Sequence, residues 1–331
     1  MRFLIVGFGS IGRRHFRNLL ALGQKDIVFL RSQKSTLNTG ELDGFIIEHD
    51  IEKALSHKPD AVIIANPTAL HLDVAIPAAK AGCHLFFEKP IAESLEKIPD
   101  LRKALHDGGG IAVTGFQFRF HPGIQKIKDL LNRHALGEVV SARAHWGEYL
   151  PDWHPWEDYR QSYSAKKTLG GGVVLTLCHP LDYMNFFFGE VSSVYGFTRM
   201  VPSLEIETEA AAEIGIQYQS GPIVSVHVNY VQRPSSHTLE IIGDQGTIRW
   251  DNTDGVVHLY QFEKGVWQTF YPPEDFERNS LFLSEMRNFL AVIEGKEKPV
   301  CSLEDGIRAQ ELVTAVYKSN KGNRIINFDK V

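Results

Sequence analysis

Gly7, Gly9 and Gly12, spaced as G-x-G-x-x-G, are the residues whose type and spacing point most directly to chemistry in this chain. Gly7 permits a tight turn out of the apolar run Phe3–Val6. Gly9 lets the backbone approach a pyrophosphate with no Cβ in the way, and Gly12 lets the next segment pack closely on the strand. That segment, Ile11 to Leu22, reads as a helix. The amides around Ser10 and Ile11 then stand at the positive end of a helix dipole and suit a phosphate. The glycine spacing alone is a weak signal. With a strand before it and a helix after it, it reads as a dinucleotide-binding turn.

The end of the second strand candidate, Ile27–Leu30, bears on which dinucleotide. It continues as Arg31-Ser32-Gln33-Lys34. An NAD-selective turn carries a carboxylate there for the ribose hydroxyls, and none is present. Arg31 can pair with a 2′-phosphate and Ser32 can donate to it. The expectation is NADP in preference to NAD.

These residues need elements to position them. The first third alternates strand candidates (Phe3–Val6, Ile27–Leu30, Phe45–Ile47, Ala61–Ala65, His84–Phe87, Ile111–Gly115) with helix candidates (Ile11–Leu22, Ile51–His57, His71–Ala81, Leu95–His106). Asp50 and Ser94 read as N-caps, and Gly23 and Gly82 as helix stops. Pro99 is expected to kink or split the last helix. Repeated β-α-β units with apolar strands predict a parallel, doubly wound sheet whose ligands sit beyond the carboxyl ends of the strands. After Phe120 the pattern changes to strands that alternate polar and apolar residues. In Ile223–Val231, Ser225, His227 and Asn229 share one face. Gly137–Ala144, Val191–Thr198, Ala211–Gln219, Thr238–Gly243, Thr247–Asp251 and Val256–Phe262 read likewise, with a hairpin turn at Asp244-Gln245-Gly246. Asn279–Glu294 and Leu303–Ser319 read as amphipathic helices. The fold expected is α/β: a doubly wound Rossmann domain over residues 1–119, then an α+β domain over 120–331 with a large, mostly antiparallel open sheet. Such a face invites burial by a second copy of the chain, a homodimer or homotetramer through the C-terminal sheet.

The strand ends supply an ordered set. Asn66-Pro67-Thr68 follows the fourth strand, with His71 three residues on. Glu88-Lys89-Pro90 closes the fifth. Gly115 to Pro122, including Arg119, follows the sixth, and Gly170-Gly171-Gly172 precedes a helical segment carrying His179 and Asp182. This set resembles the Gfo/Idh/MocA oxidoreductases, the glucose-fructose oxidoreductase and inositol dehydrogenase family, over nearly the whole chain. The stretch Asp152–Tyr163, DWHPWEDYRQSY, is similar to a branch often encoded with surface-polysaccharide genes.

The resemblance implies hydride transfer between a nicotinamide and a secondary carbon of a sugar, polyol or nucleotide sugar. By position, Lys89 matches the family's active-site lysine and His179 its active-site histidine. A histidine suits the proton transfer because its ordinary pKa lies near neutrality. Lys89 would steady negative charge on the reacting oxygen. Asn66, Pro67, Thr68, His71, Glu88 and Pro90 join Lys89 as candidate cofactor contacts. Pro90 is expected to follow a cis bond. Arg119, Trp153, Arg160, Tyr163, Thr176 and Asp182 are the candidate substrate contacts, since aromatic faces with interleaved polar groups suit a sugar ring. One departure stands out. Many members carry an aspartate three or four residues before the histidine, where this chain has Thr176 and Leu175. Threonine relays a hydrogen bond but supplies no charge to steady an imidazolium.

The bulk numbers bound the rest. The chain has 331 residues, 43% apolar and 23% charged, with a net charge of −5. That length calls for two domains, and that charge argues against a nucleic-acid surface. Cys83, Cys178 and Cys301 form no C-x-x-C pair, and the apolar runs are too short to span a bilayer. With a strand at the very N-terminus and no leader, the expected location is the cytoplasm. His145, His154 and His179 lack a compact ligand spacing, so no metal is expected. Two alternatives stay open on the residues: an NAD-dependent glycoside hydrolase-like enzyme, and a non-catalytic NADP-binding regulator or scaffold.

Overall fold

A computed structural model describes residues 1–32 and 40–328. Gln33 and Lys34 of the cofactor reading lie outside the described residues. The chain divides into two compact units, Met1–Gln117 with Arg278–Gln310, and Phe118–Glu277 with Glu311–Val331. The first boundary falls beside the expected one. The segment 278–310 groups with the first unit, whereas the sequence reading gave it to the second.

In the first unit the order is β1 (Phe3–Val6), α1 (Ser10–Ala21), β2 (Ile27–Leu30), β3 (Ile46–Glu48), α2 (Ile51–Ser56), β4 (Ala61–Ile64), α3 (His71–Lys80), β5 (His84–Glu88), α4 (Ile98–Gly108) and β6 (Ala112–Gly115). The sheet order is β3-β2-β1-β4-β5-β6 with every pair parallel. This is the doubly wound order, with its switch point beside β1. Alternate residues of the strands enter two cores. Leu4, Val6, Val62, Ile64, Leu85 and Phe87 pack on one side of the sheet. Phe3, Ile5, Phe29, Ile63 and Phe86 pack on the other. Burial on both faces is why these strands read as unbroken apolar runs. Asp50 caps α2 by accepting the Lys53 N–H at 3.0 Å. Ser94 does not cap α4; Lys97 holds the N-cap position without a side-chain capping bond, and Pro99 lies in the first turn. No kink results, because a first-turn residue has no helical N–H bond to lose.

The second unit runs through α5 (Pro122–Asn132), β7 (Val139–Tyr149), α6 (Val173–Thr176), α7 (His179–Phe188), β8 (Val191–Arg199), β9 (Ala211–Tyr218), β10 (Ile223–Asn229), β11 (Val231–Gly243), β12 (Gly246–Asp251), β13 (Val257–Gln261) and β14 (Val266–Phe270). Then come α8 (Arg278–Ile293) of the first unit, α9 (Leu303–Gly322), within which the division falls, and β15 (Ile326–Asn327). The sheet order is β14-β13-β12-β11-β7-β10-β9-β8-β15. Only the β7–β10 pair is parallel among the described pairs. Alternation holds along the strands: Ala212, Ile214 and Ile216 are buried while Glu213, Gly215 and Gln217 are exposed. Among the described residues no helix is long and apolar enough to cross a membrane.

Candidate active site

The glycine turn is built as its spacing implies. Gly7 has φ +87°, and a Cβ there would press on the Ala65 carbonyl oxygen at 2.7 Å and the Asn66 amide nitrogen at 2.8 Å. The turn is thus seated against the end of β4. A Cβ at Gly12 would collide with the Gly7 carbonyl, which fixes how closely α1 approaches β1. Gly9 differs: a Cβ there meets no atom within 4 Å. Gly9 is the N-cap of α1, makes no side-chain cap, and the first turn holds no acidic residue. A helix N-terminus with uncapped amides and a glycine that the fold itself does not require suits a diphosphate.

At the end of β2 the Arg31 side chain is buried, and its Nε has no hydrogen-bond partner among the described residues. Its guanidinium lies 5.6 Å from the Phe8 ring centroid, and that of Arg13 lies 5.2 Å from the same ring. Burial, and then the Arg13 charge, push the Arg31 pKa down from its ordinary value. Arg13 Nε lies 3.6 Å from a Glu41 carboxylate oxygen, and an anion beside Arg31 would meet a second guanidinium there. Ser32 beside them is exposed. Arg13 escaped the sequence reading; the available signal was a basic residue in the first turn after the glycines.

The other cofactor candidates divide. Asn66 donates from Nδ2 to the Leu70 carbonyl at 3.2 Å, and its Oδ1 has no partner among the described residues. Pro67 leads into a single 3₁₀ turn, Thr68–Leu70, with Thr68 buried. His71 is buried and donates from Nε2 to the Asn66 carbonyl at 2.8 Å. Burial lowers its pKa. His71 therefore ties the loop together as a neutral ring through that nitrogen. Glu88 likewise has partners within the chain. It is buried, Oε1 accepts from His15 Nε2 at 2.6 Å, and Oε2 accepts the Lys89 N–H at 3.2 Å. Its carboxylate braces the chain beneath Lys89. Lys89 is half-buried, and the Lys89–Pro90 bond is cis as expected.

In the second unit the glycine run and His179 are not on one helix. Gly172, with φ +116°, caps the four-residue α6, and His179 begins α7 after a break at Leu177-Cys178. Thr176 ends α6, so it does not lie one helical turn below His179. It is buried, as is Tyr230. Asp182 does share the first turn of α7 with His179.

His179 is buried, with ring centroids 5.1 Å from Phe118 and 5.4 Å from Trp146. Behind Trp146, His237 stacks at 4.3 Å with planes 1° apart. Burial, then His121 and His145, push His237 down to about 3, and burial pushes His121 down to about 4. Both rings are neutral packing groups at neutral pH. Phe118 and His237 were not foreseen beside His179, since separate elements supply them, whereas Trp146 opens the aromatic stretch that reads as suited to a sugar ring.

Arg119 and Asp182 are buried and meet each other: Nε–Oδ2 is 3.0 Å and Nη2–Oδ1 is 2.8 Å. Two desolvated charges so paired position the start of α7. Trp153 packs edge-on to Tyr230 at 5.5 Å, and its indole N–H is buried with no acceptor among the described residues. Tyr163 is exposed, and Arg160 is exposed and paired to Asp158 at 2.9 Å and Glu205 at 2.7 Å. A groove of about 510 Å³ lies elsewhere, on the outward sheet face among Arg143, His145, Glu213, His227, Glu240 and Arg249. Among the described residues, the group whose His and acid atoms all lie within 4.8 Å of one another is His15, Glu88 and Glu285.

A doubly wound sheet with this glycine turn, joined to a large open sheet, defines a two-unit dinucleotide-binding oxidoreductase. Residues 1–116 match the oxidoreductase family NAD-binding Rossmann fold, and residues 128–328 match the oxidoreductase family C-terminal alpha/beta domain. The chain belongs to the Gfo/Idh/MocA oxidoreductase family. It is 25% identical to the myo-inositol 2-dehydrogenase of Thermotoga maritima over 351 residues, covering 100% of this chain and 99% of that one. Its fold is that of the WlbA dehydrogenase from Bordetella pertussis in complex with NADH and UDP-GlcNAcA: TM-score 0.84, 21% identity, 100% of this chain and 99% of that one. A levoglucosan dehydrogenase complex with NADH and levoglucosan gives TM-score 0.85 and 20% identity, with 99% of each chain covered.

Proposed function

We propose that this chain is an NADP-preferring dehydrogenase or reductase acting on a secondary hydroxyl or ketone carbon of a sugar or nucleotide sugar. The observation that carries the reading is the unobstructed Gly9 turn over the N-terminus of α1, in a chain whose two halves both match this family. The residues present fit a dinucleotide: Gly7, Gly9 and Gly12 with the amides of Ser10 and Ile11 for the diphosphate, and Arg31 with Arg13 for a 2′-phosphate. Asn66, Thr68 and Pro90 line the same ends of the strands. When bound, the cofactor accepts or returns the hydride.

The chain's own residues handle the proton and the charge. His179 takes the hydroxyl proton in oxidation and returns it in reduction. Lys89 holds the substrate oxygen and stabilises the charge that develops on it. Glu88 braces Lys89 through its backbone N–H, and the Arg119–Asp182 pair steadies the turn that carries His179. The Trp153 indole N–H suits a sugar hydroxyl, with Tyr163 and Arg160 beside it in sequence. Exposed Arg160 can exchange its surface carboxylates for a substrate anion at little cost. The relatives' inositol, levoglucosan and UDP-sugar ligands support the substrate class.

The enzyme acts as a homodimer or homotetramer through the outward face of the nine-stranded sheet, where charges of both signs alternate. It works in the cytoplasm, in surface-polysaccharide metabolism. The test is NADPH absorbance against a panel of myo-inositol, levoglucosan and UDP-sugars. K89A and H179A should each abolish turnover on the responding substrate, with H179A keeping NADPH affinity within a few-fold. Full turnover in either variant refutes the assignment.

A further inference from the structure

Three buried side chains from three elements meet inside the first unit: His15 of α1, Glu88 at the end of β5 and Glu285 of α8. Their ligating atoms all lie within 4.8 Å of one another. Glu88 has a donor for each oxygen, His15 Nε2 for one and the Lys89 N–H for the other. Glu285 has none. Its residue is 3% exposed, and neither carboxylate oxygen has a hydrogen-bond partner among the described residues. An ionised carboxylate buried without a donor and beside a second acid is among the least favourable arrangements a fold can hold. Something must remove that charge.

We propose that Glu285 stands at neutral pH as an uncharged carboxylic acid. It is the silent third member of a buried group that lets Glu88 alone carry the negative charge and brace Lys89. The direct 2.6 Å contact between His15 and Glu88 argues for a proton over a metal ion in this group, since an ion would have to separate those two ligands. The surrounding charges agree. Arg14 attracts both carboxylates, but it is half-buried and its guanidinium lies 4.4 Å from the Phe282 ring centroid. Burial first and Glu88 second raise the Glu285 pKa, and Arg14 offsets them only in part. The brace on Lys89 rests on the role given to Lys89 above; the protonation state of Glu285 does not.

The experiment compares the full-length wild type with E285Q, whose amide copies the shape of a protonated acid. Infrared spectra of the wild type at neutral pH should show the C=O stretch of a protonated carboxyl that E285Q lacks. This reading needs no variant if the wild type is instead titrated to high pH, where the band must disappear. In urea unfolding, the folded wild type holds a proton that the unfolded chain releases above about pH 4.3. The folding constant of E285Q relative to wild type should therefore rise about tenfold per pH unit above that value, until the buried acid ionises. NADPH affinity, read by fluorescence titration, should fall in the wild type at the pH where the band is lost and stay level in E285Q. A parallel fall in both proteins overturns the brace. Absence of the band with a flat folding ratio overturns the protonation state. Stoichiometric Zn²⁺ or Mn²⁺ binding by the wild type, lost in E285Q, overturns it in favour of a metal site.

Discussion

Arg31→Met isolates the charge that we assign to the 2′-phosphate. Methionine keeps an apolar stem beside Phe8 and removes the guanidinium. In the protein alone, Arg31 is desolvated, its Nε is unpartnered among the described residues, and Arg13 lies over the same ring. Deleting the charge relieves that repulsion, so folding stability should hold or rise slightly. With a 2′-phosphate present, Arg31 would make at least one charge-assisted hydrogen bond, about 2 kcal/mol. Arg13 remains to supply part of the field, so we expect a loss near that single-bond value, roughly 30-fold in the Kd for NADPH. NADH has no 2′-phosphate, and its Kd should move by less than about threefold. Fluorescence titration of both nucleotides reads the two numbers directly, and the NADPH loss should shrink as salt rises. Equal changes for NADH and NADPH, or no change for NADPH, would falsify the phosphate assignment and leave Arg31 as packing for Phe8.

The glycine turn gives a contrast within one motif. Gly9→Ala should fold with an unchanged melting temperature, because its Cβ meets nothing, yet lose at least about tenfold in dinucleotide affinity. Gly12→Ala drives a Cβ into the Gly7 carbonyl and should lower stability by about 1–3 kcal/mol in urea unfolding. Asp182→Leu strands the buried Arg119 charge and should cost about 3–5 kcal/mol, much of it recovered by adding Arg119→Met; no recovery would mean that the pair is not the source of the loss. His121 should shape the acid limb of stability. Its folded pKa of about 4 lies below the unfolded value, so between those two pH values the unfolded chain binds the extra proton and stability falls as pH falls. His121→Asn keeps an acceptor for the Gly123 N–H and should make that limb shallower by up to about 1.4 kcal/mol per pH unit. An unchanged limb refutes the assignment.

Legibility in the sequence followed the range of the physical cause. β1, β2 and β4 were readable almost to the residue, because a strand buried on both faces must be an apolar run, and β1 also ends in a glycine turn. β9 and β10 were readable because one wet face forces alternation. β14 and β15 were missed: Val266–Phe270 is largely exposed at the sheet edge, and Ile326–Asn327 is two residues long. The last helix of the first domain was placed too early, since Ser94 looked like a cap and Pro99 like a break. A 3.6-residue pattern does not by itself say which turn comes first. Among the candidate site residues, the glycines, Arg31 and the Lys89–Pro90 turn were singled out by type and spacing.

By itself the sequence determined the two architectures and the family, since both rest on local periodicity and on short motifs whose steric reasons are complete within a few residues. Tertiary structure decided which polar groups serve whom. His71 and Glu88, read as cofactor contacts, support loops; Arg119 and Asp182, read as substrate contacts, pair with each other; Arg13 shares the Phe8 ring with Arg31, and Glu285 lies beside Glu88. Each of those partnerships links residues on different elements. Burial, which makes a charge seek a partner or give up its charge, exists only once the chain has closed on itself.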